Sequence, residues 1–557
     1  MRLLNRKKKT YIPDSSGGVI IGANPRKVDL IRYENELHHV LLSGVTGWGK
    51  TRRVFAPTIE ILMRNQNSFL INDTTKQQYY RFKHRLESAG YEVILMDFRD
   101  PNFGSRYNPL TSVIKMINKG DYDEAQMLCE DTVEALVPLN DKQEPMWTTG
   151  ARSVISATML SLCLSDTVPL KAKNIPNVFN NIITLGKSTK EGSLLDKYFE
   201  SPERTSIEKM VYGTYGMSQS KVRMSYNSVA TASIREYTYG KIARSTAVSD
   251  FDIADWCNPE KKPVACFVVV PDEKSTLEKL STFFIEQVYR ELITTAKNYP
   301  QQKLPRRFFF VLDEAMNMGQ LSNFDKRLNV SRQRNICYIL GIQSDPQIDQ
   351  VYGKDRADAI RKGCTIKMWL DGADGENISH IQKQTGEQVY VKESISKHTS
   401  ISLFSISPNN NSTYTSAKKP LYSTDFLTQL KTPDAIVKKA GMFPFKTYLP
   451  DFSEYSFADE LVELLPSEEV MRESLDSIKK QELNKEYLHL LTDKLPLVKK
   501  RPTAPKPETK QSNVGAETSQ EKKTAIRKKT INSVRNYNPI TKVERKGEDD
   551  GENKLSQ

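Results

Sequence analysis

The sequence predicts an α/β protein: a parallel sheet covered by helices, interrupted by an inserted all-α domain and followed by a disordered basic C-terminal tail. Three observations carry this. Short apolar runs alternate with helical patterns between glycines, as in a helix-covered parallel sheet. Across residues 112–250 strand-like runs nearly vanish and helical periodicity takes over. Beyond residue 493 proline, lysine, threonine and glutamate dominate, with Tyr537 the one aromatic residue, too little apolar area to offset the entropy of ordering.

The elements follow in order. Residues 1–37 form a basic opening segment. Residues 38–43 (HHVLLS) read as a short buried strand, followed by GVTGWGKT and a helical pattern with Phe55, Ile59, Ile61 and Leu62 on its apolar side. Residues 68–73 (SFLIND) make a second strand, 81–90 a helix ended by Gly90, and 91–97 (YEVILMD) a third strand. Helices are expected over 123–136, 146–165, 175–185 and 205–238, a separate unit inside the α/β domain. The sheet pattern resumes at 263–271 (PVACFVVVP), with a helix over 275–299 and strands over 307–313 (RFFFVLD), 336–343 (ICYILGIQ) and 364–370. Residues 394–416 alternate as a hairpin does and then turn polar. One or two polar helices are expected over 456–493, and the tail over 494–557.

The charge sits at the ends. Lys+Arg 81 against Asp+Glu 68 gives +13. Residues 1–9 hold five positive charges and no negative one, and residues 494–557 hold a net +8, so 10–493 is formally neutral. Basic ends of this kind either solubilise the chain or contact phosphate backbones and anionic lipid. No run reaches the 18 or so apolar residues that span a bilayer, and no apolar stretch follows the N-terminal basic residues as in a secretory signal. The six cysteines (Cys129, Cys163, Cys257, Cys266, Cys337, Cys364) are scattered, with no CxxC, so buried reduced thiols are expected and structural zinc or disulfides are not.

The chemistry begins at Gly44-Val45-Thr46-Gly47-Trp48-Gly49-Lys50-Thr51, which satisfies GxxxxGK[ST] between a strand and a helix. Glycines let successive backbone N–H groups turn around phosphate oxygens, and the helix N-terminus adds its dipole. Lys50 neutralises β/γ charge and the Thr51 hydroxyl ligates Mg²⁺, so ATP and Mg²⁺ are the expected cofactors. Arg52, directly behind, is placed with this nucleotide-binding stretch. Such a loop needs an acidic partner, and the strand 307–313 supplies it: Asp313 holds the metal through water, and Glu314 polarises the attacking water. Gln343, ending the next strand, stands where a γ-phosphate-sensing glutamine would. The 38–111 and 251–455 stretches are therefore two parts of one P-loop nucleotide-binding domain, and the chain is expected to be an ATP hydrolase.

Lys50 and Asp313 lie 263 residues apart, and the helical insertion explains about half of that gap. This order, with several strings, resembles the coupling-protein ATPases of conjugative type IV secretion, the TraG/TraD-like branch of the FtsK–HerA superfamily. The matching pieces are GVTGWGKT, SRYNPL at 105–110, Trp147 heading the insertion, LDEAMNMGQL at 312–321, LNVSRQRNICYILGIQSDPQIDQ at 328–350 with Tyr352-Gly353 behind it, and Lys419-Pro420-Leu421. The resemblance covers most of 38–450. It implies a homo-hexamer with RecA-like cores that hydrolyses ATP at subunit interfaces and drives relaxase-bound single-stranded DNA into the secretion channel. It also implies that the insertion contacts DNA or relaxase, and that Arg332 or Arg334 acts across the interface as an arginine finger.

Three features depart from that pattern. Trp48 is bulky where the family has a small residue. NDTTK at 72–76 lacks the usual Lys-Gly after its aspartate. The family's two transmembrane helices have no counterpart in the residues before the P-loop, so the expected location is cytoplasmic, peripheral to the inner face of the cell membrane, with a separate small membrane protein as partner. A chromosomal HerA/FtsK-type translocase or helicase and a non-motor docking receptor are the alternative readings.

Overall fold

Apolar strands whose two faces are both covered read as continuous hydrophobic runs, and FFFVL in residues 308–312 shows why. Phe308, Phe310 and Leu312 join one core, while Phe309 and Val311 join another on the opposite side. The computed structural model describes residues 17–461, apart from 102, 139–143, 188–191, 270–274, 372–374 and 403–404. The expected tail, nearly all of the helices expected over 456–493, and the basic residues 1–9 lie outside the described residues.

The strands are β1 (Ile20–Asn24), β2 (Lys27–Tyr33), β3 (Val40–Ser43), β4 (Ser68–Asn72), β5 (Glu92–Asp97), β6 (Val264–Val269), β7 (Phe308–Leu312), β8 (Ile336–Ile342), β9 (Ile366–Trp369), β10 (Glu387–Ser402), β11 (Ser405–Pro420), β12 (Asp434–Lys439) and β13 (Phe445–Tyr448). Eleven of them form one sheet in the order β2-β1-β13-β12-β9-β3-β8-β7-β4-β6-β5. From β9 to β5 all neighbours are parallel. From β9 to β2 they are antiparallel.

The antiparallel extension adds to the expected pattern. Residues 20–33, read from sequence only as part of a basic segment, form a hairpin, and β12 and β13 carry the sheet to it. The ribbon β10–β11 is longer than the expected hairpin, with Glu387 opposite Pro420.

Between β5 and β6 the described residues hold helices and no strand. Their core is continuous with one face of the sheet: Val154, Ile155 and Leu160 of helix Pro145–Leu164 share a cluster with Leu41, Leu70 and Phe310. The SRYNPL string explains how the insertion is tied down. The Asn108 amide donates to the carbonyls of Lys173 (2.7 Å) and Ala247 (3.1 Å), and its backbone N–H donates to Ser249 Oγ (2.9 Å). Arg106 pairs with Asp250, and the Tyr107 ring stacks on Phe251 at 5.7 Å. Entry and exit of the insertion are thus clamped to each other by one short segment. Among the described residues no helix is long and apolar enough to cross a membrane.

Candidate nucleotide-binding site

Parallel strands deliver their loops to the carboxyl edge of the sheet, where ligands of open α/β sheets bind. The P-loop leaves the central strand β3 at that edge. Gly47 (φ +86°) and Gly49 (φ +87°) take left-handed backbone that a side chain would strain. The Val45 N–H donates to Asp371 Oδ2 (2.8 Å), anchoring the loop two residues past the end of β9. Lys50 is buried and its Nζ donates to the Gly44 carbonyl at 2.7 Å, folding the ammonium back under the loop. Trp48 is half-buried, and Thr46 and Gly47 are exposed at the tip. A turn of π-helix (Thr51–Phe55) opens the following helix, Ala56–Arg64, a local irregularity typical of functional sites.

Asp313 follows β7 one strand over from β8, and the fold brings it to Thr51: the Thr51 hydroxyl donates to Asp313 Oδ2 at 2.6 Å. Burial pushes the Asp313 carboxyl above its ordinary range, opposed by the Thr51 hydrogen bond and the Lys50 charge. Gly341 on β8 backs it. A Cβ there would stand 2.8 Å from Phe55 Cζ and 2.9 Å from Asp313 Oδ1, so only glycine leaves room. Thr51 Oγ1 and the Asp313 carboxylate form a compact pair of hard oxygen donors, which fits Mg²⁺. An ion held there would supply positive charge to the phosphate groups of a bound nucleotide.

Glu314 takes left-handed backbone (φ +50°), uncommon for a side-chain-bearing residue and a mark of functional strain. Its Oε2 accepts from Asn317 Nδ2 (2.9 Å), Asn317 Oδ1 accepts from Gln347 Nε2 (3.1 Å), and Gln347 Oε1 accepts from the Gln343 N–H (3.0 Å). Gln343 and Glu314, expected as separate elements of the site, are therefore joined by a three-bond relay.

Sequence reasoning missed four residues here: Asn72, Asp371, Asn317 and Gln347. The first two had a readable signal, a polar residue at or just after the carboxyl end of an apolar strand. Asn317 and Gln347 had none.

Two expected residues stand elsewhere. Arg52 makes two bonds of 2.7 Å to the Asp451 carboxylate and lies 4.6 Å over the Phe452 ring, whose contacts include Arg81 at 4.4 Å. Arg332 is exposed near the end of helix Phe324–Gln333, just before the amino end of β8, which runs parallel to β3. That is the amino edge of β3, opposite its own P-loop. Arg334 donates to the Gln302 carbonyl at 3.2 Å. At the same amino edge Glu34, Glu36 and His38 cluster as metal ligands would, but the Lys439 ammonium already sits 2.8 Å from Glu34 Oε2.

The chain is similar to known proteins across most of its length. Against coupling protein TraD of Escherichia coli (strain K12) it is 20% identical over 302 residues, 53% of this chain and 39% of that protein, so the match spans less than half of TraD. The bacterial conjugative coupling protein TrwBdeltaN70, unbound, superposes with a TM-score of 0.54 at 16% identity, over 80% of this chain and 89% of that one. Plasmid coupling protein TrwB in complex with ADP and Mg²⁺ gives 0.52 at 17% identity, over 77% and 88%. These likenesses show a TrwB-like fold, a RecA-like sheet with a helical domain. Residues 3–462 match the family described as type IV secretory system conjugative DNA transfer, and the chain belongs to that family.

Proposed function

We propose that this protein is the ATP-driven coupling protein of a conjugative type IV secretion system. It recruits the relaxase–single-stranded DNA complex and pumps it to the transfer channel. One observation carries the reading: Lys50, Thr51, Asp313 and Glu314 converge at one sheet edge in a chain of the conjugative DNA transfer family.

Residues 44–51 bind the triphosphate through backbone N–H groups, with Lys50 on the β/γ oxygens. Thr51 and Asp313 hold Mg²⁺. Glu314 takes the proton of the attacking water as the water oxygen bonds to the γ-phosphorus and the bond to the β–γ bridging oxygen breaks. Asn317 and Gln347 orient Glu314 and tie it to Gln343, the γ-phosphate sensor. Arg332, on the opposite edge of the strands, serves the site of the next subunit in a homo-hexamer. Residues 112–250 form the recognition unit. The protein works at the inner face of the cell membrane, held by a separate small membrane protein and aided by Arg2, Arg6, Lys7, Lys8 and Lys9.

The test is ATP hydrolysis by the full chain with and without single-stranded DNA, followed by relaxase–DNA capture. DNA-stimulated turnover abolished by Lys50→Ala is the expected result. Turnover indifferent to DNA and capture indifferent to deletion of 112–250 would refute the reading.

A further inference from the structure

After β13 the chain runs back past the start of the helix that follows the P-loop. Burial fixes it there: Leu449, Tyr455 and Phe457 share a core with Val54 and Phe55, and the Tyr455 and Phe457 rings stack at 5.4 Å. Between these anchors the segment presents two acceptors to the helix. The Asp451 carboxylate takes both Arg52 bonds at 2.7 Å, and the Leu449 carbonyl accepts from Arg53 at 2.9 Å. Asp451 is itself held in place. Its Oδ1 accepts from the Ser453 N–H (3.0 Å) and hydroxyl (2.7 Å), and its N–H donates to Glu454 Oε1 (2.8 Å).

The two gripped residues sit inside the π turn. There the Ala56 N–H bonds to the Thr51 carbonyl, five residues back instead of four. One extra residue rotates everything before it by about 100° relative to the helix behind. That helix cannot turn to compensate, because Ala56, Pro57, Ile59 and Leu62 are buried. The phase of the π turn therefore decides where Lys50 and Thr51 point. Isolated π turns are rare, and the two arginine contacts restrain this one from outside. Arg53 also lies against the loop, since a Cβ on Gly49 would stand 3.1 Å from Arg53 Cδ.

Arg52 is half exposed, so its ion pair adds little to global stability. Its geometry is what counts: two parallel charge-assisted bonds fix the direction of a guanidinium as well as its distance.

We propose that residues 449–457 position the nucleotide site from behind. Asp451 acting through Arg52, and the Leu449 carbonyl acting through Arg53, hold the π turn that aims Lys50 and Thr51 at the phosphates. Arg52 is then a lever on the loop and not a ligand of the nucleotide. The inference rests on the reading of residues 44–51 as an ATP site and names what sets that site's affinity.

The test uses the full chain with Mg²⁺, and measures binding of fluorescent ADP beside steady-state ATP hydrolysis. Arg52→Gln and Asp451→Asn should each raise the Kd for ADP and the KM for ATP about tenfold, with kcat within about twofold and thermal unfolding unmoved. Both substitutions remove the same bonds, so the double variant should lose no more than either alone. Glu460→Gln breaks an ion pair that the same stretch of chain makes with Arg85, and should leave KM unchanged. Unchanged KM in the single variants, or a double variant whose loss is the product of the two, would overturn the inference. So would a KM rise shared by Glu460→Gln or matched by a fall in melting temperature, which would mark a merely structural role. Hydrolysis that survives Lys50→Ala would remove the ATP site itself. An inactive Lys50→Ala beside unaltered Arg52 and Asp451 variants would sink the positioning role alone.

Discussion

The Asn72 side chain closes a ring with the backbone of Asp313: its amide donates to the Asp313 carbonyl and its oxygen accepts the Asp313 N–H, both at 2.5 Å. Asn72 ends β4, the strand beside β7, so one side chain fixes where the Asp313 carboxylate leaves the sheet. Asn72→Ala leaves two buried backbone groups without that partner, a loss of about 1–3 kcal/mol. Denaturant unfolding should show that loss, together with weaker Mg²⁺ dependence of turnover. Unchanged stability would mean that the ring is dispensable.

Glu314→Gln should keep nucleotide binding and lose hydrolysis, because an amide cannot take the water's proton. Asn317→Ala and Gln347→Ala remove the relay that holds Glu314. Each should lower kcat about tenfold or more with little change in KM. A rise in KM alone would place both residues in binding instead.

Arg332 and Lys50 lie at opposite edges of the sheet, so each should be complemented by a different subunit. Arg332→Ala and Lys50→Ala chains, inactive apart, should recover about a quarter of wild-type ATP hydrolysis when mixed equally, the share of interfaces pairing an intact Lys50 with an intact Arg332. A mixture as inactive as its components would mean that Arg332 does not serve the neighbouring subunit's site.

Because burial raises the Asp313 carboxyl, protons compete with Mg²⁺ for it at a pH above the usual aspartate range. The Mg²⁺ concentration for half-maximal turnover should therefore rise as pH falls, up to about tenfold per unit below the raised pKa. A Mg²⁺ requirement flat down to the ordinary aspartate range would contradict the assignment.

His39 supplies a separate pH dependence. Its Nδ1 accepts the Tyr338 N–H (3.0 Å) and its Nε2 donates to the Leu328 carbonyl (2.6 Å), which fixes the neutral form. Burial lowers its pKa from 6.5 to about 4. Between those values the unfolded chain binds a proton that the folded chain refuses, so stability falls as pH drops from 6.5 toward 4, by about 3 kcal/mol over the window for this one group. Denaturant unfolding at several pH values, with His39→Gln as control, should show a smaller acid loss in the variant.

Much of this molecule was legible because parallel strands with both faces covered leave unbroken apolar runs, as FFFVL and ICYILGI do. The P-loop and the Asp313-Glu314 pair announced themselves by motif and by position after such runs. The antiparallel extension did not. FKTY in β13 is four residues long, and KVDLIRY in β2 has no buried residue, so neither carries a strong period. The Glu314–Asn317–Gln347–Gln343 relay joins residues through side chains on a loop, a short helix and a strand end, and no local pattern encodes that meeting.

The register of the central strands has a consequence for biosynthesis. Val40 of β3 pairs with Ile339 and Ile366, and Ala23 of β1 pairs with Tyr448, which the ribosome delivers hundreds of residues later. Contacts so distant in sequence close slowly. The P-loop emerges early but has no flanking strands until β8 and β9 are made, and the N-terminal hairpin waits for β13. A chain halted before residue 336 would carry the complete GVTGWGKT string and still lack the bed that shapes it. The flanks of the P-loop are thus complete only once residues 336–369 have been made.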